Sequence, residues 1–484
     1  MKLKQRVTEY TLYRYRYAIG YSSALISVVV MLVGAALFIP QGIRIEEQDS
    51  SLASGAVEFA TFNPETVVNL PYHALQLASF AVFGVSEISI KLPSVLLGVM
   101  AAIGMFLLIR AWARSNVAVI AVLIGTTTPA FIFASQDGTP IIFAIASSIW
   151  LLLSATYVSR RHKPRLLWKI LAFTFFVLTL YTPLGVYLCL AMLSTMIFHP
   201  HIRYVVRRLN PNHIAVSLVV ALVLLSPLLY SIVTQPRLGL DLLGIPQSWP
   251  DWWGQAQLML GTLFSFSNST NGVLRPVIGA GVGILMLVGV YRLFRTRYTA
   301  RSYVTWIWLL LLIPLTYFNP EHLLIMLPIM VIMVAMGMAT LIIEWYRLFP
   351  LNPYARVFGL FPLALIVTGI VLSSFSRYTM SYTSAPDLVR LFHTDVSLLS
   401  STLEKAEAST DTPITVVVGG DNKTFYELTA KYDGRYTVAT DAPSEPPYIV
   451  VAGSGALPTA GAEPTHIATT ARQDDSNRIY LYKP

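Results

Sequence analysis

Three carboxylates fall within four residues in the stretch IRIEEQDSS: Glu46, Glu47 and Asp49. They directly follow the first long apolar run, so they are expected at a membrane surface. A carboxyl group beside a low-dielectric boundary, among like charges, is harder to ionise and its pKa rises. Such a group suits general-base work; the same trio also reads as an ordinary solvated loop. Asp137 is a lone charge in TTTPAFIFASQDGTPIIFAIA, between two apolar runs. Ionisable groups at the end of a span are costly and mark function. Followed by Gly138, Thr139 and Pro140, it equally reads as the N-cap of the next helix. Glu321 and His322, in FNPEHLLIMLP, sit at another span boundary. A histidine there suits phosphate binding or proton shuttling, or is half of a plain interfacial polar pair; His73 has the same two readings. Besides Arg44, Lys91, Arg237 and Arg275 are the only Lys/Arg on this side before residue 376, so a phosphate-bearing ligand has few partners there. Lys91 is expected to snorkel at its span end.

Between residues 234 and 272 lie Trp249, Trp252, Trp253, Phe264 and Phe266. They read as an aromatic belt, with a lid as the second reading. No phosphate-binding loop, dinucleotide fingerprint, nucleophile elbow or His/Cys metal spacing is present in the sequence. Cys189 is the sole cysteine, which excludes a disulfide framework and a cysteine-based metal site.

These residues need elements to hold them. Of 484 residues, 55% are hydrophobic and 12% charged, about half the charged share of a soluble domain. Apolar runs long enough to cross a bilayer are expected at about 21–40, 92–109, 117–134, 139–158, 166–182, 184–198, 213–233, 273–293, 302–318, 322–345 and 357–375. The first run is expected to remain as a span, because no small-residue cleavage site leads into a soluble domain. With the N-terminus cytoplasmic, the inner loops and their flanks hold 21 Lys/Arg and the opposite side before residue 376 holds four. This agrees with the positive-inside rule and fits a multi-pass cell-membrane protein. The net charge of +9 therefore does not indicate a nucleic-acid partner: the basic residues are scattered over short loops. Ten of the twelve acids before residue 376 lie on the outer side, although acids do not set orientation. The segment 71–85 is too short to span and reads as a helix lying in the outer interface, or as a re-entrant segment.

From 376 onward the composition changes to thirteen Asp/Glu and nine Lys/Arg with no spanning run. The stretch PDLVRLFHTDVSLLSSTLEKA has helical periodicity. PITVVVGG, KTFYELTAKY, RYTVAT and PPYIVVAG read as strand, helix, strand, strand, with RIYLYK as a last strand. The expected architecture is therefore an all-α polytopic membrane domain over 1–375, with a first outer loop at 41–91, and a small α/β extracytoplasmic domain over 376–484.

Three stretches together resemble the GT-C superfamily of polyprenyl-phosphate-sugar-dependent glycosyltransferases, in particular the protein O-mannosyltransferase and aminoarabinose (lipid A) transferase branch. IRIEEQDSSLASG is similar to the family's acidic pair after span one. NLPYHALQLASFAVFGVSEISIKLPSVLLG is similar to its Pro-Pro and Arg-Leu-Pro-Ser segment, and SQDGTPIIFAIASSIWLL to the stretch after the third span. The resemblance implies inverting transfer of a sugar from a polyprenyl-phosphate donor to a glycan, lipid or protein acceptor outside the cell. Glu46 or Glu47 would be the base, and Asp49 and Asp137 supporting acids. No cofactor is firmly implied, and a divalent metal is left open. The sequence departs from the pattern where the family binds phosphate. Only Pro71 of the Pro-Pro remains, with His73 as a substitute for the usual cation; Gln136 stands for one Arg and Glu321 for another. An altered donor or an inactive relative thus stays open. A transporter or flippase is the competing class, but the spans lack the mid-membrane ionisable residues and the inverted repeat it would require.

Overall fold

The computed structural model describes residues 11–39, 42–58, 63–160, 164–245, 251–264, 277–318, 320–348, 353–389, 391–407, 414–443, 445–457, 463–469 and 478–483. A helix stands at each of the eleven expected spans. Among the described residues seven are long and apolar enough to cross a membrane, or nine if each of two bent pairs counts as one span. The remaining two, Arg165–Leu180 and Ala280–Arg295, are 16 residues each. The chain is an integral membrane protein. The helix running into Leu327–Leu348 is its centre: 94% of its most apolar window is buried, as expected of a helix apolar all round.

The span expected at 117–134 is broken. Ser115–Thr126 and Pro129–Gln136 meet at a bend of 70°. The cause is Thr128–Pro129. Proline removes a backbone donor and forces the preceding residue to be extended. Thr128 is extended, and its side chain caps Phe131 N–H. The second half-helix therefore ends at Gln136, with Asp137 just beyond it.

The segment expected to lie in the interface is the helix Leu70–Phe83, closed at Gly84 with φ +69°. Its polar stripe, His73, Gln76 and Ser79, is buried, while Leu75, Val82 and Phe83 are exposed. Its contacts are with the acidic helix Ile45–Gly55 and the span Glu87–Trp112.

The last span runs from Pro353 to Ser384. It carries the membrane part past the expected boundary at 375, because RYTMSYTS continues the helix without a break. Beyond it the strands β1 (Ile414–Val417), β2 (Tyr436–Ala439), β3 (Tyr448–Val451), β4 (His466–Ala468) and β5 (Ile479–Tyr482) form one sheet in the order β2-β1-β3-β5-β4. β1 pairs parallel with β2 and β3, and β5 antiparallel with β3 and β4. The helix Lys423–Asp433 supplies the crossover from β1 to β2 that a parallel pair requires. The expected strands and the helix between β1 and β2 are found and β4 is an addition, but the stretch read as helical from Pro386 is broken into Pro386–Val389 and Asp395–Glu407, with the bridge residue His393 between them. Ile43, Phe80 and Ile90 of the membrane part share one buried cluster with Leu399, Leu403, Phe425 and the strand residues Ile414, Val416 and Ile449. The α/β domain is thus docked on the same side of the helices as the acidic loop.

Candidate active site

The acidic stretch folds as the helix Ile45–Gly55, preceded by Arg44 in extended conformation. Successive helical residues point about 100° apart, so the adjacent glutamates separate. Glu47 is completely buried, whereas the Glu46 side chain is 52% exposed. Glu47 Oε2 accepts from Arg44 N–H at 2.8 Å, and its Oε1 from Gly138 N–H at 2.6 Å. Burial pushes the Glu47 carboxyl up to about 7, with Asp137 adding to the rise and Lys91 and Arg44 opposing it. Asp49 is exposed; partial burial and neighbouring Glu46 raise its pKa.

The guanidinium of Arg44 joins the acidic helix to Asp137. Nη2 and Nε donate to Asp137 Oδ1 at 2.6 and 3.2 Å, and Nη1 donates to Glu46 Oε2 at 3.0 Å. Arg44 and Asp137 are both buried, and the guanidinium lies 5.0 Å from the Phe133 ring centroid. A buried charge needs this kind of full pairing to be tolerated. Asp137 is not the N-cap of the next helix. That helix begins at Ile141 with Pro140 before it, and the Asp137 carboxylate instead accepts from Arg44 and from the Thr139 hydroxyl.

Gln76 completes the frame. Its Nε2 donates to Ile90 O at 3.0 Å and Gly138 O at 3.2 Å, while its Oε1 accepts from Ser54 at 2.6 Å. Gly138 is therefore held through its N–H by Glu47 and through its carbonyl by Gln76. A Cβ there would lie 2.6 Å from Ile90 Cγ2, so only glycine lets the helices close this tightly. His73 is buried with Nδ1 2.8 Å from Ser54 Oγ; burial holds its imidazole down to about 4, neutral at pH 7.

The other expected site residues fall as follows. Gln136 is buried; its Oε1 accepts from Tyr378 OH at 2.7 Å, and its Nε2 has no hydrogen-bond partner among the described residues. His322 is half-buried in the turn Pro320–Met326, which packs on Pro129–Gln136 and Ile141–Ser159, the two helices flanking Asp137. The Glu321 side chain and Arg275 lie outside the described residues. Arg237 is exposed on Pro236–Leu243, a helix packed on Pro211–Thr234 and Gly185–Phe198. Lys91 does not snorkel. It is buried, donates to Gly42 O at 2.5 Å and pairs with Glu87 at 3.6 Å. Trp252 and Trp253 are exposed on Trp252–Phe264; Trp249 and Phe266 lie outside the described residues. Among the described residues no cluster of three or more His, Cys, Asp or Glu is arranged to hold a metal.

Sequence reasoning missed Arg44 as the organiser of the site. The available signal was a single cation directly before an acidic cluster at a span end, where an unpaired charge would be costly. It also missed Gln76, whose partners come from three separate segments.

Residues 71–230, about a third of the chain, match the family described as dolichyl-phosphate-mannose-protein mannosyltransferase. No curated protein matches the chain. Among solved structures it is similar to ArnT from Cupriavidus metallidurans bound to undecaprenyl phosphate. The identity is 14% and the TM-score 0.51, covering 96% of this chain and 98% of that one. It is also similar to the oligosaccharyltransferase AglB from Archaeoglobus fulgidus in complex with an inhibitory peptide and a dolichol phosphate. There the identity is 12% and the TM-score 0.49, over 87% of this chain and 64% of that one. The ArnT likeness shows the fold: the chain is built on the GT-C architecture that its sequence resembles.

Proposed function

We propose that the chain transfers a sugar from a polyprenyl-phosphate donor to a glycan, lipid or protein acceptor at the extracytoplasmic face, with inversion. The observation that carries this reading is the Arg44 bridge. It fixes Glu46, the exposed glutamate of the pair, beside Asp137 at the end of a broken span. The matched family and the undecaprenyl-phosphate-bound relative support the donor class.

In this reading Glu46 takes the proton of the acceptor hydroxyl or amine. The freed electron pair attacks the anomeric carbon, and the carbon–oxygen bond to phosphate breaks with its electron pair leaving on the lipid phosphate. Asp137 and Arg44 orient Glu46. Glu47, with both oxygens bonded to backbone amides and no access to solvent, positions Gly138 and does not act as base. Asp49, one turn along and exposed, is an auxiliary acid. Of the residues read from sequence as phosphate contacts, His322 and Gln136 belong to segments beside Asp137, and these are assigned to the leaving phosphate. His73 is neutral and enclosed, and Arg237 belongs to another face.

The test replaces each glutamate by Gln and follows sugar transfer in membranes. Glu46→Gln is expected to lower the rate constant by about 10²-fold or more, the usual contribution of a general base, without loss of folded protein. Glu47→Gln is expected to act first on thermal stability. Undiminished transfer by Glu46→Gln would remove the base assignment.

A further inference from the structure

The segment of the α/β domain that lies beside Arg44 is short, while the helix Lys423–Asp433 packs separately on the acidic helix. Ile43 N–H donates to His393 O at 2.8 Å and His393 N–H to Ile43 O at 2.9 Å, an isolated antiparallel bridge. Ile43 is the residue before Arg44. The residue before that, Gly42, has φ +105°, and a Cβ on it would lie 2.9 Å from His393 O. Glycine is needed here for the backbone conformation and for the close approach alike. Both polar groups of the Gly42 backbone are also held: its N–H by Glu87, and its carbonyl by Lys91. Lys91 Nζ in turn lies 5.6 Å from the Phe392 ring centroid. Phe392 meets Tyr382 edge-on at 5.8 Å, Tyr382 stacks on Phe133 at 6.2 Å, and Phe133 underlies the Arg44 guanidinium. Two residues past the bridge, Asp395 opens the helix Asp395–Glu407, and it lies against Gly453, where a Cβ would meet its Oδ2 at 2.6 Å.

We propose that Phe392–His393 is a strap by which the α/β domain positions Arg44, and that Lys91 is the residue that locks it. The backbone bridge sets the direction in which the chain enters the acidic helix. The Phe392–Tyr382–Phe133 stack sets the floor beneath the guanidinium. Together they fix the guanidinium that holds Glu46 and Asp137 in register. Lys91 is thus a positioning residue: its ammonium holds Gly42, pairs with Glu87, faces Phe392 and also acts on the charge of Glu47. The functional half of this inference rests on the transfer reading above; the structural half does not.

The experiment uses the full chain in lipid nanodiscs and amide hydrogen exchange, which reports local opening. Lys91→Met removes the ammonium and keeps most of the stem, Lys91→Arg restores a cation, and Phe392→Leu removes the ring while keeping bulk. In Lys91→Met and Phe392→Leu, exchange at Ile43 and His393 is expected to rise by about tenfold or more. Exchange at Gly138, whose N–H is held by Glu47 on the acidic helix, is expected to rise with it. Leu327–Leu348 stays at the wild-type level, and Lys91→Arg recovers most of the protection. Opening of Ile43 and His393 with Gly138 unchanged in both variants would overturn the strap, as would wild-type exchange at all three. Should Lys91→Met unfold the central helix, Phe392→Leu decides alone. With a polyprenyl-phosphate sugar as probe, kcat is expected to fall several-fold in Lys91→Met while KM for the donor holds. A wild-type chain that transfers nothing would count against the transfer reading, whereas the exchange pattern judges the strap by itself.

Discussion

Glu46 and Glu47 are chemically identical neighbours, and the fold gives them opposite surroundings. One helical step turns Glu46 to solvent and Glu47 into the contact with Gly138. The sequence made the cluster legible but could not separate its members, because nothing in EEQD states which face of a short helix will be covered. Burial of Glu47 has a consequence for pH. Its folded value, about 7, lies above the ordinary 4.5, so between those values the folded chain keeps a proton that the unfolded chain releases. Its contribution is complete below about pH 4.5 and is lost as pH rises through 7. His73 acts in the opposite sense: lowered from 6.5 to about 4, it contributes stability above 6.5 that is lost as pH falls through 4. The two slopes oppose each other across most of the same window, so each is visible only as a difference. Thermal unfolding of Glu47→Gln minus wild type should show stability that improves relative to wild type from pH 5 to 8. His73→Asn minus wild type should show the reverse, an advantage at pH 5 that shrinks by pH 7. Parallel curves for wild type and both variants would contradict the burial of these groups.

At the level of elements, hydropathy placed a helix at each expected span, and among the described residues seven to nine of these are long and apolar enough to cross a membrane, because apolar length is what a bilayer demands of a helix. It misjudged continuity and ends. The break at Thr128–Pro129 lies inside an unbroken apolar run, and it is this bend that delivers Gln136 and Asp137 to the acidic helix. The last span outlasts its apolar core by continuing to Ser384. There Tyr378 and Tyr382 face inward and are buried against Gln136 and Phe133; a polar-looking sequence hides a packed helix face. Close packing also depends on small residues that hydropathy ignores. Ala280–Arg295 and Leu327–Leu348 approach so nearly that a Cβ at Gly289 would sit 1.9 Å from Met333 O, and one at Gly337 2.1 Å from Leu285 O. Small residues permit such backbone contact between membrane helices. Gly289→Ala is therefore expected to lower the unfolding temperature clearly, because backbone cannot yield as a side-chain tip would. An exposed control, Gly369→Ala, meets nothing within 4 Å and should leave it unchanged.

For the whole molecule, the acidic loop, the end of the broken span and the α/β domain assemble on one side of the helices. The Lys/Arg asymmetry of the loops argues that this side is extracytoplasmic. That placement can be read with an impermeant maleimide on intact cells in a Cys189→Ser background. Cysteine at Asp441, exposed in the α/β domain, should label, and cysteine at His201, exposed in an expected inner loop, should label only after permeabilisation. The reverse pattern would invert the topology. What the sequence showed at this scale was the resemblance and the split into two parts. What it could not show was that the two parts share a core through Ile43, Phe80 and Ile90, since contacts this distant in sequence leave no periodic trace.

In the proposed mechanism Glu46, held by Arg44 beside Asp137, drives transfer from a lipid monophosphate. The most direct measurement incubates the purified chain with a polyprenyl-phosphate sugar and acceptor membranes, and quantifies free polyprenyl phosphate against sugar transferred. Wild type is expected to release one polyprenyl phosphate per sugar transferred, with release lowered by about 10²-fold or more in Glu46→Gln. Equal release by wild type and Glu46→Gln, or sugar transfer without release of the monophosphate, would contradict this mechanism.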